Sequence, residues 1–368
     1  MKPERKIIIS GGGTGGHIFP AIAIANALKS IDPSIKILFV GAEGKMEMEK
    51  VPAAGYQIEG LRITGLQRSM KLSNLAFPFK VISSLLKANK IIKKFNPQVA
   101  VGVGGYASGP LLYVATRRGI PGLIQEQNSF PGITNKLLAS KVEKICVAYD
   151  KMERFFPAKK ILMTGNPVRE DMVVTEGKKS DAARFFNLDE SKPTLLVVGG
   201  SQGARSINKA MKSHLKTLAD SGVQVVWQCG KIFFEEASEA VKEQNTPTVK
   251  VFDFISRMDY AYALADVIIS RAGASTVSEL CIVAKPAILV PLPTAAEDHQ
   301  TWNCKALVEK NAAILIKDID ANQQLISTAL ELVKDENRKK ELSVNISKLA
   351  MRNSANVIAE QVLKLIKN

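Results

Sequence analysis

The run Gly11-Gly12-Gly13-Thr14-Gly15-Gly16-His17 follows the short apolar segment Ile7-Ile8-Ile9 and leads into a helical pattern from Pro20 to Ser30. Five glycines permit a tight turn and a close approach of backbone to ligand. The helix beyond them would offer unpaired N–H groups and a positive dipole end to an anion. Gly11, Gly13 and Gly16 also satisfy G-x-G-x-x-G, a weak pointer to a dinucleotide, and a ligand-free strand-to-helix turn satisfies the same letters. His17 ends the run. Among glycines its ring has little side-chain cover, which favours a cleft-facing imidazole over a core histidine. Such a ring can remove a proton from a sugar hydroxyl as general base.

Similar grammar returns in the second half. Gly199-Gly200-Ser201-Gln202-Gly203-Ala204 follows the apolar run Thr194–Val198 and precedes a helix. Ser201 could donate its hydroxyl to a phosphate or cap the helix, and the two roles are compatible. Ser270-Arg271-Ala272-Gly273 is a further turn into a helix that carries Glu279. A carboxylate there could accept the 2′- and 3′-hydroxyls of a ribose. Spacing alone favours dipole compensation or a solvated face. Asp318-Ile319-Asp320 has the D-x-D form of a metal–nucleotide clamp, but its place before a helix near Asn322 reads as turn and cap chemistry.

The elements that must position these residues alternate in type. Lys6–Ser10, Ile35–Val40, Val99–Val103, Gly122–Gln125 and Lys144–Val147 read as buried strands, with helical patterns such as Ser108–Arg118 between them. Beyond them Thr194–Val198, Val223–Trp227, Val249–Phe252, Val267–Ile269, Ala287–Val290 and Ala313–Ile316 restart the series. Alternation of this kind implies parallel sheets covered on both faces. The expected fold is α/β, two doubly wound Rossmann-like domains facing a cleft. The boundary falls near Gly165-Asn166-Pro167, giving domains over 1–166 and 167–349. The tail is helical and basic, and a helix over about 350–368 is expected to pack back on the first domain.

The chain's 368 residues suit two domains rather than one core. The four cysteines, Cys146, Cys229, Cys281 and Cys304, are scattered and form no C-x-x-C, which argues against a zinc site or a disulfide framework. The three histidines lie far apart. No apolar run is long enough to span a bilayer and the N-terminus has no secretory pattern, so residence on the cytoplasmic side is expected. Residues 1–168 hold 24 Lys and Arg against 10 Asp and Glu, whereas residues 169–368 hold 26 against 25. The basic excess therefore belongs to the first half, and an anionic surface is expected to meet it. An aromatic content of 6% and the lack of a recognisable motif speak against nucleic acid. An NAD(P)-dependent oxidoreductase and a non-catalytic membrane-docking subunit stand as rival readings to a transferase.

Taken together, Gly12–His17, Gln127-Asn128, Gly165-Asn166-Pro167-Val168-Arg169, Gly199–Ala204, Thr276-Val277-Ser278-Glu279 and Gln300-Thr301-Trp302-Asn303 resemble the MurG family of bacterial peptidoglycan glycosyltransferases in order and spacing. The resemblance spans nearly the whole chain. It implies a metal-independent, cofactor-free, inverting glycosyltransferase of the B type. Its donor would be UDP-GlcNAc and its acceptor the 4-hydroxyl of MurNAc in undecaprenyl-pyrophosphoryl-MurNAc-pentapeptide. By motif match, Thr14, Gly15 and Gly16 would line the cleft near the donor. Asn128, Arg169, Ser201, Ile255 and Gln300 would touch the UDP-sugar, with Ala274, Ser275, Thr276, Val277 and Ser278 of the helix motif. Glu279 would take the ribose hydroxyls, contrary to what spacing alone favours, and Ile255 would meet uracil through its backbone. His17 would be the base, with Glu126 orienting or assisting it. Arg169 and helix-terminal N–H groups would stabilise the leaving diphosphate. Where the family often has two glutamines, this chain has His299-Gln300, and Pro293–Glu297 differs in length. A peripheral place on the inner membrane, a lipid-linked substrate and contact with other cell-wall synthesis proteins are implied as well.

Arg62, Arg68, Lys71, Lys80, Lys87, Lys90, Lys93 and Lys94 lie in a stretch without an acidic residue, interleaved with apolar ones. Pro78 divides it into a loop and a following amphipathic helix. About half of the apolar positions are expected in the core. The others, with Leu75, Phe77, Phe79, Lys80, Lys87 and Lys90 foremost, would form a surface that dips into an anionic headgroup layer.

Overall fold

The computed structural model describes residues 4–63, 77–200 and 202–366, with the side chains of Phe77 and Glu170 excluded. Leu75 and Ser201 therefore lie outside the described residues. The chain divides into two compact units, one of residues 1–168 with 352–368 and the other of residues 169–351.

The first unit holds seven parallel strands: β1 (Lys6–Ser10), β2 (Lys36–Ala42), β3 (Gln57–Leu61), β4 (Val99–Gly102), β5 (Gly122–Glu126), β6 (Lys144–Val147) and β7 (Ile161–Met163). Their order is β3-β2-β1-β4-β5-β6-β7. The second unit holds β8 (Thr194–Val198), β9 (Gln224–Gln228), β10 (Val249–Phe252), β11 (Val267–Ser270), β12 (Ala287–Leu289) and β13 (Ile314–Leu315), in the order β10-β9-β8-β11-β12-β13. Both orders run outward from the first strand and then return to its other side. Crossing helices cover both faces, so the central strands are continuous apolar runs such as Lys6–Ser10 and Thr194–Val198. The edge strands β3 and β7 escape the sequence pattern. They are half-exposed, and β3 carries Gln57, Glu59 and Gly60 among its five residues.

Each unit has its own core. That of the first packs Ile7, Ile9, Val99 and Val101 of the sheet under Ile18, Ile24 and Leu28 of the helix Gly15–Ile31. Ile358, Ala359 and Val362 of the last helix, Ser354–Lys364, complete that core. The tail reaches it because its apolar residues recur at helical spacing on one face. The second core gathers Leu195, Val197, Val225, Trp227, Val267 and Ile269 beneath helices that include Arg205–Ser213 and Ala321–Lys334.

Candidate active site

In each sheet the strand order reverses beside the first strand, between β1 and β4 and between β8 and β11. Loops leaving the carboxyl ends of such strands form the crevices in which doubly wound folds bind ligands. Thr14 to His17 follow β1 and Ala274 to Glu279 follow β11, whereas Asn128, Arg169, Ile255 and Gln300 lie beyond β5, β7, β10 and β12.

In the first unit His17 is the third residue of its helix and is half-buried. Its Nδ1 stands 2.9 Å from Gln127 Oε1. Gln127 Nε2 donates to the carbonyls of Val103 at 2.9 Å and Gln125 at 3.2 Å. Carbonyls only accept, so the amide nitrogen must face them and Oε1 must face the ring. Nδ1 therefore carries the proton of the neutral imidazole, and Nε2 carries the lone pair. Asn166 fixes this arrangement from below. Its Nδ2 donates to the Gln127 carbonyl at 3.0 Å, while its Oδ1 accepts from Gln125 Nε2 at 2.9 Å. Burial pushes the His17 pKa below its ordinary value, against smaller upward pulls from Gln127, the Val103 carbonyl and the charge of Glu47. The ring is thus a neutral base at neutral pH.

Room for this ring comes from a second glycine pair that no sequence motif marks. A Cβ on Gly104, whose φ is +94°, would stand 2.7 Å from His17 Cε1 and Nδ1. Thr14 and Gly16 are exposed, and Gly15 is half-exposed beside them. The loop is less open to anions than its letters suggest. Glu47, itself buried, accepts the Gly13 N–H at 2.9 Å and the Ala42 N–H at 3.0 Å. A carboxylate of the chain occupies the floor of the glycine turn.

The expectation that Glu126 orients His17 is corrected, because Gln127 takes that place. Glu126 is buried, and its two oxygens are engaged elsewhere. Oε1 accepts from the Asn128 N–H at 3.0 Å and Asn128 Nδ2 at 3.2 Å, and Oε2 from Asn135 Nδ2 at 2.8 Å and the Gly132 N–H at 3.2 Å. It braces the loop after β5 and turns the Asn128 amide inward. Burial raises its pKa, partly offset by those four donors.

In the second unit the glycine loop after β8 is held by backbone bonds, from Gly199 N–H to the Gln228 carbonyl at 3.0 Å and from Gly203 N–H to the Gly200 carbonyl at 3.1 Å. The N-cap of the next helix is Ala204, which makes no side-chain cap bond. Glu279 sits in the second turn of the helix Ala274–Val283. Its Oε2 accepts from the Tyr262 hydroxyl at 2.8 Å, and it feels the charge of the exposed Arg169. Ser275 and Thr276 are half-exposed at the start of this helix. Val277 is buried, so its side chain faces the core rather than a ligand. The Ser278 hydroxyl donates back to the Ala274 carbonyl at 3.0 Å.

Ile255 is buried, and its N–H donates to Gln228 Oε1 at 2.8 Å. Gln300 Oε1 accepts the Leu292 N–H at 3.0 Å. His299 Nδ1 donates to the Ala296 carbonyl at 2.6 Å. Asp318 is spent on structure. It pairs with Arg271 and accepts from Ser206, while the same guanidinium donates to the Val290 and Pro291 carbonyls at 3.0 and 3.2 Å. Asp320 caps the helix Ala321–Lys334 without a side-chain bond. Among the described residues no group of three or more His, Cys, Asp or Glu could hold a metal ion.

The helix Phe77–Phe95 contains Pro78 in its first turn, where a missing N–H costs nothing. Ala88, Ile91 and Ile92 enter the core, whereas Phe79, Ile82 and Leu86 are 75%, 56% and 67% exposed. That spacing places them on one outward stripe, with Lys90 a turn further on. Lys87 is otherwise engaged, in an ion pair with Glu43 at 2.8 Å that Arg62 joins at 3.2 Å. No helix among the described residues is long and apolar enough to cross a membrane.

Two family models match along the chain, the glycosyltransferase family 28 N-terminal domain over residues 7–147 and its C-terminal domain over residues 194–362. The chain belongs to glycosyltransferase family 28. Family 28 relatives include the UDP-N-acetylglucosamine--N-acetylmuramyl-(pentapeptide) pyrophosphoryl-undecaprenol N-acetylglucosamine transferases of Phocaeicola vulgatus and Parabacteroides distasonis. The first is 57% identical over 99% of this chain and 97% of that protein, the second 55% identical over 98% of each. Among solved structures, Acinetobacter baumannii MurG is similar with a TM-score of 0.79 and 28% identity, over 98% of this chain and all of that one. The chain thus has the glycosyltransferase fold of the B type, with one α/β domain in each unit.

Proposed function

We propose that this chain is an inverting N-acetylglucosaminyltransferase of peptidoglycan synthesis. It moves GlcNAc from UDP-GlcNAc to the 4-hydroxyl of MurNAc in undecaprenyl-pyrophosphoryl-MurNAc-pentapeptide. The observation that carries the mechanism is the pair His17–Gln127, which presents a neutral imidazole with its lone pair on Nε2. In this reading Nε2 accepts the proton of the acceptor hydroxyl. The oxygen attacks the anomeric carbon from the face opposite UDP, the bond from that carbon to the diphosphate breaks, and UDP leaves with the electron pair. The anomeric configuration inverts.

The unit of residues 169–351 would hold the donor: Glu279 on the ribose, the Ile255 carbonyl on uracil, Gln300 on the sugar. Arg169 and the N–H groups opening the helices Arg205–Ser213 and Ala274–Val283 would face the diphosphate and stabilise the departing charge without a metal. The unit of residues 1–168 and 352–368 would take the acceptor. Phe79, Ile82 and Leu86, with Lys80, Lys90 and Lys93, support its docking on an anionic bilayer as a peripheral protein, each engaged cation adding about 1 kcal/mol. Lys87 contributes less, because Glu43 already neutralises it. Replacing Lys80, Lys90 and Lys93 with Glu should release the protein from anionic vesicles and spare donor binding. Unchanged sedimentation would place docking elsewhere.

Incubation of purified protein with UDP-GlcNAc and the lipid-linked MurNAc acceptor, in EDTA, tests the reaction. The expected result is UDP release only when acceptor is present, with a β-linked disaccharide product. Release that is independent of acceptor, or lost in EDTA and restored by Mn²⁺, would overturn the reading.

A further inference from the structure

Tyr262 lies in the helix Met258–Leu264, and its ring is almost wholly buried. A tyrosine in a core usually finds one partner for its hydroxyl. Here the partner is a carboxylate on another helix, Glu279 Oε2 at 2.8 Å. Among the described residues Glu279 Oε2 accepts from Tyr262 alone, and Oε1 accepts from none. A carboxylate has about four lone-pair sites. The phenol occupies one of them and leaves the Oε1 edge without a donor among the described residues. The carboxylate's terminal torsion is a soft degree of freedom, and a hydrogen bond from a rigid, buried ring removes it.

We propose that Tyr262 is a positioning residue for the donor, whose hydroxyl aims Glu279 at the ribose diol and so makes the site prefer ribonucleotides to deoxyribonucleotides. The inference rests on the reading that Glu279 meets the ribose. The phenol is suited to the task because it stays a donor: burial and the Glu279 charge hold its pKa well above the usual tyrosine range. Burial raises the Glu279 pKa and Asp171 adds to the rise, while the Tyr262 bond and the charge of Arg169 pull it back toward the ionised form. A diol released from water needs a charged acceptor already in place. A carboxylate free to rotate would lose part of that preorganisation on every binding event.

Binding of UDP and of 2′-deoxy-UDP to wild type, Tyr262→Phe, Glu279→Gln and the double variant tests the proposal. Phenylalanine keeps the ring and removes only the hydroxyl, and a thermal melt of each variant confirms that it is folded. Tyr262→Phe should weaken UDP about 10-fold and leave 2′-deoxy-UDP within about 2-fold. The preference for the ribonucleotide would then shrink as it does in Glu279→Gln, and the double variant would lose no more than Glu279→Gln alone. If Glu279→Gln collapses the preference and Tyr262→Phe keeps it whole, the positioning role is overturned and the ribose reading survives. If Tyr262→Phe weakens both nucleotides equally, its role is only structural, and the proposal again fails. If Glu279→Gln leaves the preference intact, the ribose reading itself falls, and the proposal with it. Should Tyr262→Phe not fold, Tyr262→Met takes its place, since it also removes the hydroxyl, fills the buried space and leaves Glu279 itself unchanged.

Discussion

The two units share one strand order, yet the floors of their first glycine loops are filled in different ways. After β1 a buried carboxylate, Glu47, accepts the Gly13 N–H. After β8 the loop is closed by main-chain bonds to Gln228 and Gly200. The contrast runs against net charge, because the unit built mainly from residues 1–168 carries the basic excess of the chain. Its lysines lie on the surface, including Lys90, Lys93 and Lys94 of one helix. A phosphate at the β1 loop would meet the Glu47 carboxylate, whereas the described residues of the β8 loop are closed by main-chain bonds. The lesson is that one topology gives two sites of different chemistry. The loop over the carboxylate carries His17, the proposed base, and the loop without it is the one proposed to face the diphosphate. Charge summed over a domain reports the surface it docks on, and the groups beneath a loop report what the loop binds.

The largest expected effect bears on the base. Gln127→Leu removes the acceptor that keeps the proton on Nδ1, so turnover should fall by about 10²-fold, within the usual worth of a general base, with donor affinity unchanged. Gln127→Glu sharpens the point through pH. The base works when neutral, so activity rises with pH through the His17 pKa, which burial places below about 6.5. A carboxylate beside the ring favours the imidazolium and should move the acid limb of kcat/KM to higher pH. A limb that stays in place would separate His17 from that ionisation.

An intermediate effect compares the two loops by one chemical change. A Cβ on Gly203, at φ +80°, would stand 2.3 Å from the Cys229 carbonyl oxygen, whereas one on Gly13, at φ +87°, meets nothing within 4 Å. Gly203→Ala combines overpacking with a left-handed backbone and should cost about 2–4 kcal/mol, and Gly13→Ala about 1–2 kcal/mol from the backbone alone. Urea titration of both variants measures the difference, and equal losses would contradict the packing of the β8 loop. The smallest effect is that of Glu47→Gln. The amide can still accept one N–H, so stability should drop by about 1 kcal/mol. Its charge, which raises the His17 pKa, is lost, and the acid limb should move to lower pH. Movement to higher pH would show that another group sets the limb.

Much of the fold is legible in the sequence because buried parallel strands are written as apolar runs, and the glycine loops mark where two of them end. The half-exposed edges β3 and β7 carry no such signature. His17 is legible from its glycine neighbours. Gln127 stands out in the sequence only as part of a motif, since its contact with the ring joins residues 110 apart in the chain. The same holds for Gly104 and Glu47, whose roles exist only once β1, β2 and β4 lie side by side. Glu126 misleads for the opposite reason. A carboxylate beside a motif suggests catalysis, but its burial among Asn128, Gly132 and Asn135 spends it on the loop. For Glu279, helical spacing points to a solvated face. The structure instead puts it against the Tyr262 hydroxyl, a contact between two helices that no single-helix pattern contains. On the helix Phe77–Phe95, the acid-free sequence conceals Glu43, which arrives from the end of β2 to claim Lys87.

The central claim is a division of labour, with the base in one unit and the donor site in the other. A single-turnover experiment with enzyme in excess over labelled UDP-GlcNAc, at saturating acceptor and varied enzyme concentration, reports both functions at once. Its half-saturation gives donor affinity and its plateau gives the rate of chemistry. His17→Ala is expected to keep the half-saturation of the wild type and lower the plateau by ~10²–10⁴-fold. Glu279→Gln is expected to keep the plateau within a few-fold and raise the half-saturation about 10–100-fold, as loss of a charged hydrogen-bond acceptor worth ~1.5–3 kcal/mol requires. If His17→Ala instead shifts half-saturation, or Glu279→Gln lowers the plateau at saturating enzyme as His17→Ala does, the two functions are not divided between the units and the account is wrong.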